Sequence, residues 1–285
     1  MKLSSNKKLL SEIYPLVYWI RVWQKRIFKI ICFALYRNKY VSKLDIQIEV
    51  LPYRYTYHKS RLIKKHSSDE LYKKLQINKI KNLQIVVNKI NGIIIKPGKT
   101  FSFCKVVGLP TKKRGFVEGM ELCRGKPRSG TGGGICQIAN LLNWMAWHTP
   151  LEITQRSIHS FDPFPDNNRI LPFGSGAAIF WNYVDLQITN NTESLFQIKV
   201  WIDDKNLKGE IRTNSLPQIK YSIFEKEHFF IKIDDLWYRS NEIWRKVFIK
   251  NKNSSPIFLR EEMMVKNFSK VCYEPDLSKY QVKII

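Results

Sequence analysis

The chain has 285 residues and a net charge of +24, and 44% of its residues are hydrophobic. This composition supplies enough apolar side chains for a folded core and excludes a wholly disordered chain. The charge is uneven: residues 1–120 hold 26 Lys/Arg and 6 Asp/Glu, whereas residues 121–200 hold 6 of each. The positive charge of residues 1–120 would attract phospholipid headgroups, phosphorylated wall precursors or nucleic acid. Alternatively, these residues simply form a soluble basic surface.

Residues 13–36 predict a basic amphipathic helix, in which Arg21, Lys25 and Lys29 form a stripe beside apolar and aromatic residues. Its uncharged runs are too short for a membrane span. Two interpretations remain open. The helix lies on an anionic membrane surface, at the inner face, or it packs its apolar residues on the protein's own core. Residues 37–66 follow as an irregular connector, so residues 1–66 form a basic N-terminal extension.

Regular structure begins again after this connector. Apolar residues at helical spacing predict a helix from Leu71 to Ile90, which Asn91-Gly92 ends. The run 93–95 predicts a short buried strand, and further strands are expected through residues 101–103 and 116–122.

A glycine-rich segment in the middle of the chain leads directly into a cysteine and a helix. Gly132, Gly133 and Gly134 precede Cys136 and Gln137, and the apolar residues that follow have helical spacing up to Pro150. A helix N-terminus carries partial positive charge, so the sequence predicts a readily ionised, nucleophilic thiol at Cys136. Alternatively, Cys136 is a small buried side chain and the glycines only permit tight packing.

A histidine lies 23 residues beyond the cysteine, at the end of an extended segment. A Cys–His pair would allow thiol chemistry, with His159 moving the proton and Asp162, Asp185 or Asn182 orienting the imidazole. The N–H of Cys136 or Gln137 would then face the oxyanion. Arg156 or Arg128 would hold a substrate carboxylate.

The number and spacing of the cysteines indicate the cellular compartment and limit the possible disulfide and metal chemistry. The five cysteines are scattered and no CxxC pair occurs, which predicts a reducing, cytoplasmic environment and no disulfide scaffold. Metal-ligand spacing is absent, so neither a metal nor another cofactor is predicted. No zinc finger, RNP motif or helix-turn-helix supports nucleic acid as the partner of the basic N-terminal part.

The remaining strands complete the predicted architecture. Strands are expected at 177–183, 185–189 and 196–202, and the alternation of aromatic and charged residues beyond 215 predicts further strands. The sequence therefore predicts an α+β fold, in which the Cys136 helix packs on a mainly antiparallel sheet. We divide the chain into the extension 1–66, a core domain 67–214 and a β-rich C-terminal part 215–285.

Four ordered motifs carry a resemblance to a known family. They are Pro97-Gly98-x-Thr100-Phe101-Ser102-Phe103, Gly132-Gly133-Gly134-x-Cys136-Gln137, Arg156-x-x-His159-Ser160 and Asp185-Leu186-x-x-x-Asn190-Asn191-Thr192. With these motifs, residues 80–200 are similar to the VanW family, named for an accessory member of vancomycin-resistance gene clusters in Gram-positive bacteria. Ala139 and Asn140 stand where many relatives carry serine and threonine, so those hydroxyls are not needed here.

The resemblance implies a role in the cell envelope or in glycopeptide resistance, while the residues leave the chemistry open. If the chain is an enzyme, it is a cysteine hydrolase or acyltransferase that acts on a wall precursor. The alternative is a non-catalytic module that binds an anionic envelope ligand at the glycine loop and helix N-terminus.

Overall fold

The computed structural model describes residues 14–63, 70–123, 126–158, 161–162, 165, 170–251, 254–278 and 280–284. Within these ranges the helices are α1 (Pro15–Leu35), α2 (Glu70–Ile90), α3 (Phe103–Val107) and α4 (Cys136–Trp147). The strands are β1 (Tyr53–Arg61), β2 (Ile93–Ile95), β3 (Thr100–Ser102), β4 (Glu118–Cys123), β5 (Lys126–Thr131), β6 (Glu152–Gln155), β7 (Phe161–Asp162), β8 (Gln187–Thr189), β9 (Phe196–Ile202), β10 (Asn206–Thr213), β11 (Ile219–Ile233), β12 (Leu236–Ile249), β13 (Ile257–Val271) and β14 (Gln281–Ile284). The predicted α+β class is confirmed.

The core lies between two helices and a four-stranded antiparallel sheet in the order β1-β10-β9-β2. Helix α2 packs on β9, and the cysteine-bearing helix α4 packs on β1 and β10. The close approach of α4 depends on Gly209 in β10, because a methyl group there would lie 2.8 Å from Met145 Cε and 2.9 Å from Leu141 Cδ2. The predicted packing of the Cys136 helix on an antiparallel sheet is therefore confirmed.

Periodic apolar residues explain why both core helices form where they do. Their buried side chains recur at three- and four-residue intervals, including Leu83, Val87 and Ile90 in α2 and Ile138 and Leu142 in α4. Full burial of each such side chain contributes roughly 1.5–3 kcal/mol. Helix α2 ends before a glycine of φ +91°, and α4 ends before a proline, as the sequence predicts.

Two smaller sheets lie beside the core. β3, β8 and β6 form an antiparallel sheet in the order β3-β8-β6, and β4 pairs with β5 as a separate ladder. The glycine loop follows directly after β5, the second strand of this ladder. In the described part of the chain β6 pairs on one side with β8, so it lies at the edge of its sheet.

The C-terminal part is a sheet in the order β14-β11-β12-β13-β7, and β11, β12 and β13 are antiparallel strands of 14 or 15 residues. The predicted β-rich C-terminal part is thus confirmed. The edge strand β7 comes from the segment after α4 and pairs in parallel with β13, with Phe161 opposite Lys270. Residues of the predicted core segment therefore complete the C-terminal sheet.

Two local predictions are wrong. Residues 53–61, predicted as irregular, form β1 and pair along their length with β10. Residues 177–183, predicted as a strand, form an extended segment and then a turn, because the N–H of Val184 donates to the carbonyl of Phe180 and Asn182 takes a φ of +51°. Helix α1 packs against this turn.

Helix α1 lies against the body with Arg26 and Lys29 inward. Arg26 is buried and Lys29 is half-buried, whereas Val22 is its one fully buried apolar residue among the described side chains. The alternative in which α1 packs its apolar residues on the core is therefore wrong. Within the described ranges, no helix combines the length and the apolar character needed to cross a membrane.

Candidate functional site

The glycine loop is filled by the protein's own atoms. Gly132 and Gly134 take φ angles of +82° and +92°, which favour glycine. A side chain at Gly134 would overlap Lys79, and one at Gly133 would overlap the backbone of Gly119 in β4. The glycines thus allow β4, α2 and the loop to approach one another, and the tight-packing interpretation accounts for all three, because Gly132 likewise faces Pro110.

A buried asparagine in α2 fixes the loop. Asn82 Nδ2 donates to the carbonyl oxygens of Gly133 and Val117, each at 3.0 Å, and its Oδ1 accepts from the N–H of Val117 at 2.9 Å. Three hydrogen bonds satisfy a side chain that has no exposed surface. The sequence analysis missed Asn82, and its only signal was a polar residue on the apolar face of a predicted helix.

Cys136 is the first residue of α4, and so lies in the first turn as predicted. Its Sγ lies 3.9 Å from the carbonyl oxygen of Ile179, and the residue is only partly accessible. Burial raises the pKa of the Cys136 thiol, because the thiolate loses hydration. This direction is opposite to the one expected from the helix N-terminus alone.

Gln137 joins α4 to the sheet. Its Nε2 donates to Ser60 Oγ at 2.9 Å and to the carbonyl oxygen of Arg61 at 2.8 Å. These contacts hold the end of β1 against the start of α4. The side chain is therefore engaged with protein atoms at the position where the sequence suggested a ligand.

Arg156 fastens the segment after Phe173 to the end of α4. Its Nε donates to the carbonyl of Gly176 at 2.8 Å, a second nitrogen donates to Gly174, and its guanidinium lies 5.0 Å from the ring of Trp147. Burial lowers the pKa of Arg156 to about 10, so it remains charged at neutral pH. Asn140 continues this connection, because its Oδ1 accepts from the N–H of Ala177 at 2.7 Å.

The other predicted site residues lie in separate surroundings. His159 and Ser160 are outside the described residues, so the proposed Cys–His pair stays a prediction. Arg128 is exposed on β5, where its Nε donates to Glu121 Oε1 at 2.6 Å. Asn182 is buried in the turn before β8, and its Oδ1 has no hydrogen-bond partner among the residues that the structure describes.

The two predicted carboxylates have different partners. Asp185 Oδ2 accepts from Ser102 Oγ at 2.7 Å, its Oδ1 accepts from the N–H of Cys104 at 2.8 Å, and Lys29 of α1 lies 3.6 Å away. Asp162 instead belongs to the C-terminal sheet, where Arg239 Nη1 lies 3.0 Å from its Oδ2. Asp185 thus connects β3, β8 and α1, and Asp162 anchors β7.

Arg239 is the centre of a polar network that the sequence analysis missed. It is 1% exposed, its Nε donates to His228 Nε2 at 2.8 Å, and Tyr273 OH donates to the same Asp162 oxygen at 3.0 Å. The Nε donation makes His228 Nε2 an acceptor, which places the ring proton on Nδ1, 3.2 Å from Glu225 Oε1. This chain of contacts joins β7, β11 and β12.

An open groove of about 380 Å³ runs along β6. Its walls also include Arg245 of β12 and Met264 of β13. The residues that line it are Trp147, Pro150, Leu151, Glu152, Ile153, Thr154, Gln155, Arg156, Arg245 and Met264. Arg156 is thus the predicted ligand residue that borders this groove.

The described ranges contain no group of three or more His, Cys, Asp or Glu side chains arranged to hold a metal ion.

Comparison with known proteins identifies the family. The family model described as VanW like protein matches residues 78–212. A protein of Enterococcus faecalis, described as vancomycin B-type resistance protein VanW, is 33% identical over 222 residues, which cover 76% of this chain and 78% of that protein. The chain belongs to the VanW family. The uncharacterized protein YoaR of Bacillus subtilis is 30% identical over 110 residues, or 38% of this chain and 34% of its own length. No solved structure matches the chain.

Several residues of the VanW motifs lie at contacts between strands. Thr100 and Thr189 hydroxyls meet at 2.9 Å between β3 and β8, and Ser102 meets Asp185 in the same sheet. Asn190 Nδ2 donates to the carbonyls of Ile95 and Ser194, at 2.8 and 2.7 Å. These motif residues therefore hold the core together, which accounts for their polarity in a buried region.

Proposed function

We propose that this VanW-family chain is an accessory protein of the cell envelope in glycopeptide resistance, and that it binds a wall-precursor peptide without converting it. The resistance context rests on the relative whose name describes it as a vancomycin resistance protein. The binding mode rests on the groove along β6.

The shape of the groove favours an extended peptide. Consecutive residues from Pro150 to Arg156 line it, although alternate side chains of a strand point to opposite faces. The groove must therefore run along the edge of β6, where backbone groups as well as side chains are presented. An exposed strand edge binds peptides by strand addition, in which backbone hydrogen bonds supply affinity.

Two arginines beside the edge outnumber the one carboxylate of the groove lining, that of Glu152, and so favour an acidic peptide. Arg156 borders one end of the strand, and Arg245 faces it from β12. Arg245 also donates to the carbonyls of Trp147 and Thr149 and pairs with Glu262 at 2.6 Å, so its position is fixed. Fixed guanidinium groups are suited to a carboxylate, which a wall-precursor peptide carries.

The alternative function is a cysteine hydrolase or acyltransferase, in which Cys136 would attack an amide or ester carbonyl and His159 would transfer the proton. The position of Cys136 at the first residue of a helix favours this alternative. Two observations weigh against it. Burial raises the pKa of the Cys136 thiol and so disfavours the thiolate, and the glycine loop beside it is filled by protein atoms.

A matched pair of methionines tests the binding proposal. Met264 lines the groove, whereas the neighbouring Met263 is 53% exposed and does not line it. We expect Met264→Trp to fill the groove and weaken binding of a synthetic wall-stem pentapeptide with a free carboxyl terminus at least tenfold by calorimetry. Met263→Trp should change the affinity less than twofold.

Two further titrations separate binding from chemistry. Amidation of the peptide's carboxyl terminus should weaken binding, and Cys136→Ser should leave it unchanged. Equal affinities of the two Met variants for the peptide would show that the peptide does not bind in the groove. A shortened or rearranged peptide, formed by the unmodified protein and not by Cys136→Ser, would establish the thiol enzyme instead.

A further inference from the structure

Helix α1 presents a broad apolar face away from the body. Ten of its large apolar residues are between 38 and 72% exposed, and they are Leu16, Val17, Trp19, Ile20, Trp23, Ile27, Phe28, Ile30, Ile31 and Leu35. At 100° per residue they cover an arc of about 180°. An exposed apolar surface of this extent marks a site of interaction with a membrane or another protein.

Basic side chains fix the helix in this orientation. Arg26 Nε donates to the carbonyl of Trp181 at 3.2 Å, and its guanidinium lies 4.9 Å from the ring of Phe180. Lys29 Nζ donates to Gln155 Oε1 at 2.5 Å and lies 3.6 Å from Asp185 Oδ2. Rotating the apolar face inward would break these contacts. The carboxylate of Asp185 would then stay buried without the nearby ammonium group of Lys29.

The charge around the helix indicates which partner covers the face. Residues 14–44 contain seven basic residues and no Asp or Glu, and Arg21, Arg37, Lys39 and Lys43 among them are exposed. A second copy of the chain would bring like charges together across the contact. An anionic lipid surface instead accepts the apolar side chains and pairs with the exposed basic residues, each worth roughly tenfold or less in affinity.

We propose that α1 is a membrane-docking helix that lies flat on an anionic bilayer, with its apolar face inserted among the lipids. Of the predicted stripe of Arg21, Lys25 and Lys29, Lys29 binds the protein body and so does not face the membrane. Trp19 and Trp23 lie on the inserted face, as is typical of aromatic residues at a membrane interface.

Vesicle co-sedimentation of the full chain tests this proposal. We expect the unmodified protein to bind vesicles of equal parts phosphatidylglycerol and phosphatidylcholine, and to bind pure phosphatidylcholine more weakly. Ile20→Asp combined with Ile27→Asp, at positions 50 and 53% exposed, should lower partitioning at least tenfold. The matched control, Ile77→Asp combined with Leu216→Asp, changes the same charge at positions 61 and 50% exposed and should stay within twofold.

The other outcomes are distinguishable. Equal losses in both double variants would overturn the proposal, because charge alone would then explain the effect. If the unmodified protein ignores vesicles and is a dimer that Ile20→Asp with Ile27→Asp converts to a monomer, a second copy covers the face. Thermal melting by circular dichroism checks that each variant is folded, since exposed substitutions should leave the melting temperature nearly unchanged.

Discussion

Replacement of Arg239 by alanine is expected to lower the free energy of unfolding by about 3–5 kcal/mol. Arg239 and Asp162 are 1% and 4% exposed, and their side chains meet at 3.0 Å. Removing the guanidinium leaves a buried carboxylate without its cationic partner, and it also removes the donor to His228. The effect should therefore exceed that of any surface ion pair in the same sheet.

Urea unfolding followed by tryptophan fluorescence measures this loss. The control is Lys226→Ala, which breaks a 2.6 Å pair with Glu261 whose side chains are 40% and 29% exposed. That variant should lose about 1 kcal/mol or less, because exposed pairs are screened by solvent. Arg239→Met combined with Asp162→Leu should be more stable than Arg239→Ala, since no charge stays buried alone. Similar losses for Arg239→Ala and Lys226→Ala would show that the network is not the anchor of β7.

The second large effect is expected at the glycine loop, where Gly133→Ala should lower the free energy of unfolding by about 3 kcal/mol. The new methyl group would overlap the backbone of Gly119, and backbone atoms cannot move aside as a flexible side chain can. The loop would have to separate from β4, which would also strain the hydrogen bonds of Asn82.

Gly98→Ala is the matched control for Gly133→Ala. Gly98 has a φ of +71°, but no atom lies within 4 Å of the position that its Cβ would take. We expect a loss of about 1 kcal/mol from backbone strain alone. If Gly133→Ala were as stable as the unmodified protein in urea unfolding, the loop would have room for a ligand, and the packing role of its glycines would be wrong.

Local sequence patterns predicted the core elements well because those elements depend on short-range periodicity. The spacing of apolar residues located α2, and the glycine run followed by helical spacing located the start of α4 at Cys136. Strand β1 was missed even though Tyr53, Tyr55 and Tyr57 alternate with polar residues. Its many basic residues suggested a linker, and only its pairing with β10 shows why the alternation is there.

The candidate site was harder to predict, because it depends on contacts between distant residues. Arg239 and Asp162 are 77 positions apart, and nothing local to either residue indicates the other. The helix N-terminus at Cys136 suggested a lowered pKa, but desolvation by burial raises the pKa of this thiol. Likewise, a helical projection revealed the two faces of α1, but the ring and carbonyl contacts of Arg26 decide which face is outward.

We propose that Cys136 carries a protonated, only partly accessible thiol in a protein that binds its ligand without thiol chemistry. The pH dependence of its alkylation by iodoacetamide, followed by peptide mapping, distinguishes a protonated thiol from a thiolate, with the exposed Cys272 as the internal reference. Because burial raises the pKa of Cys136, we expect it to label at least tenfold more slowly than Cys272 at pH 7, and to accelerate as the pH rises beyond about 8.5, the ordinary cysteine value. Rapid labelling of Cys136 that persists down to pH 6 would reveal a stable thiolate and contradict the proposal of a protonated thiol.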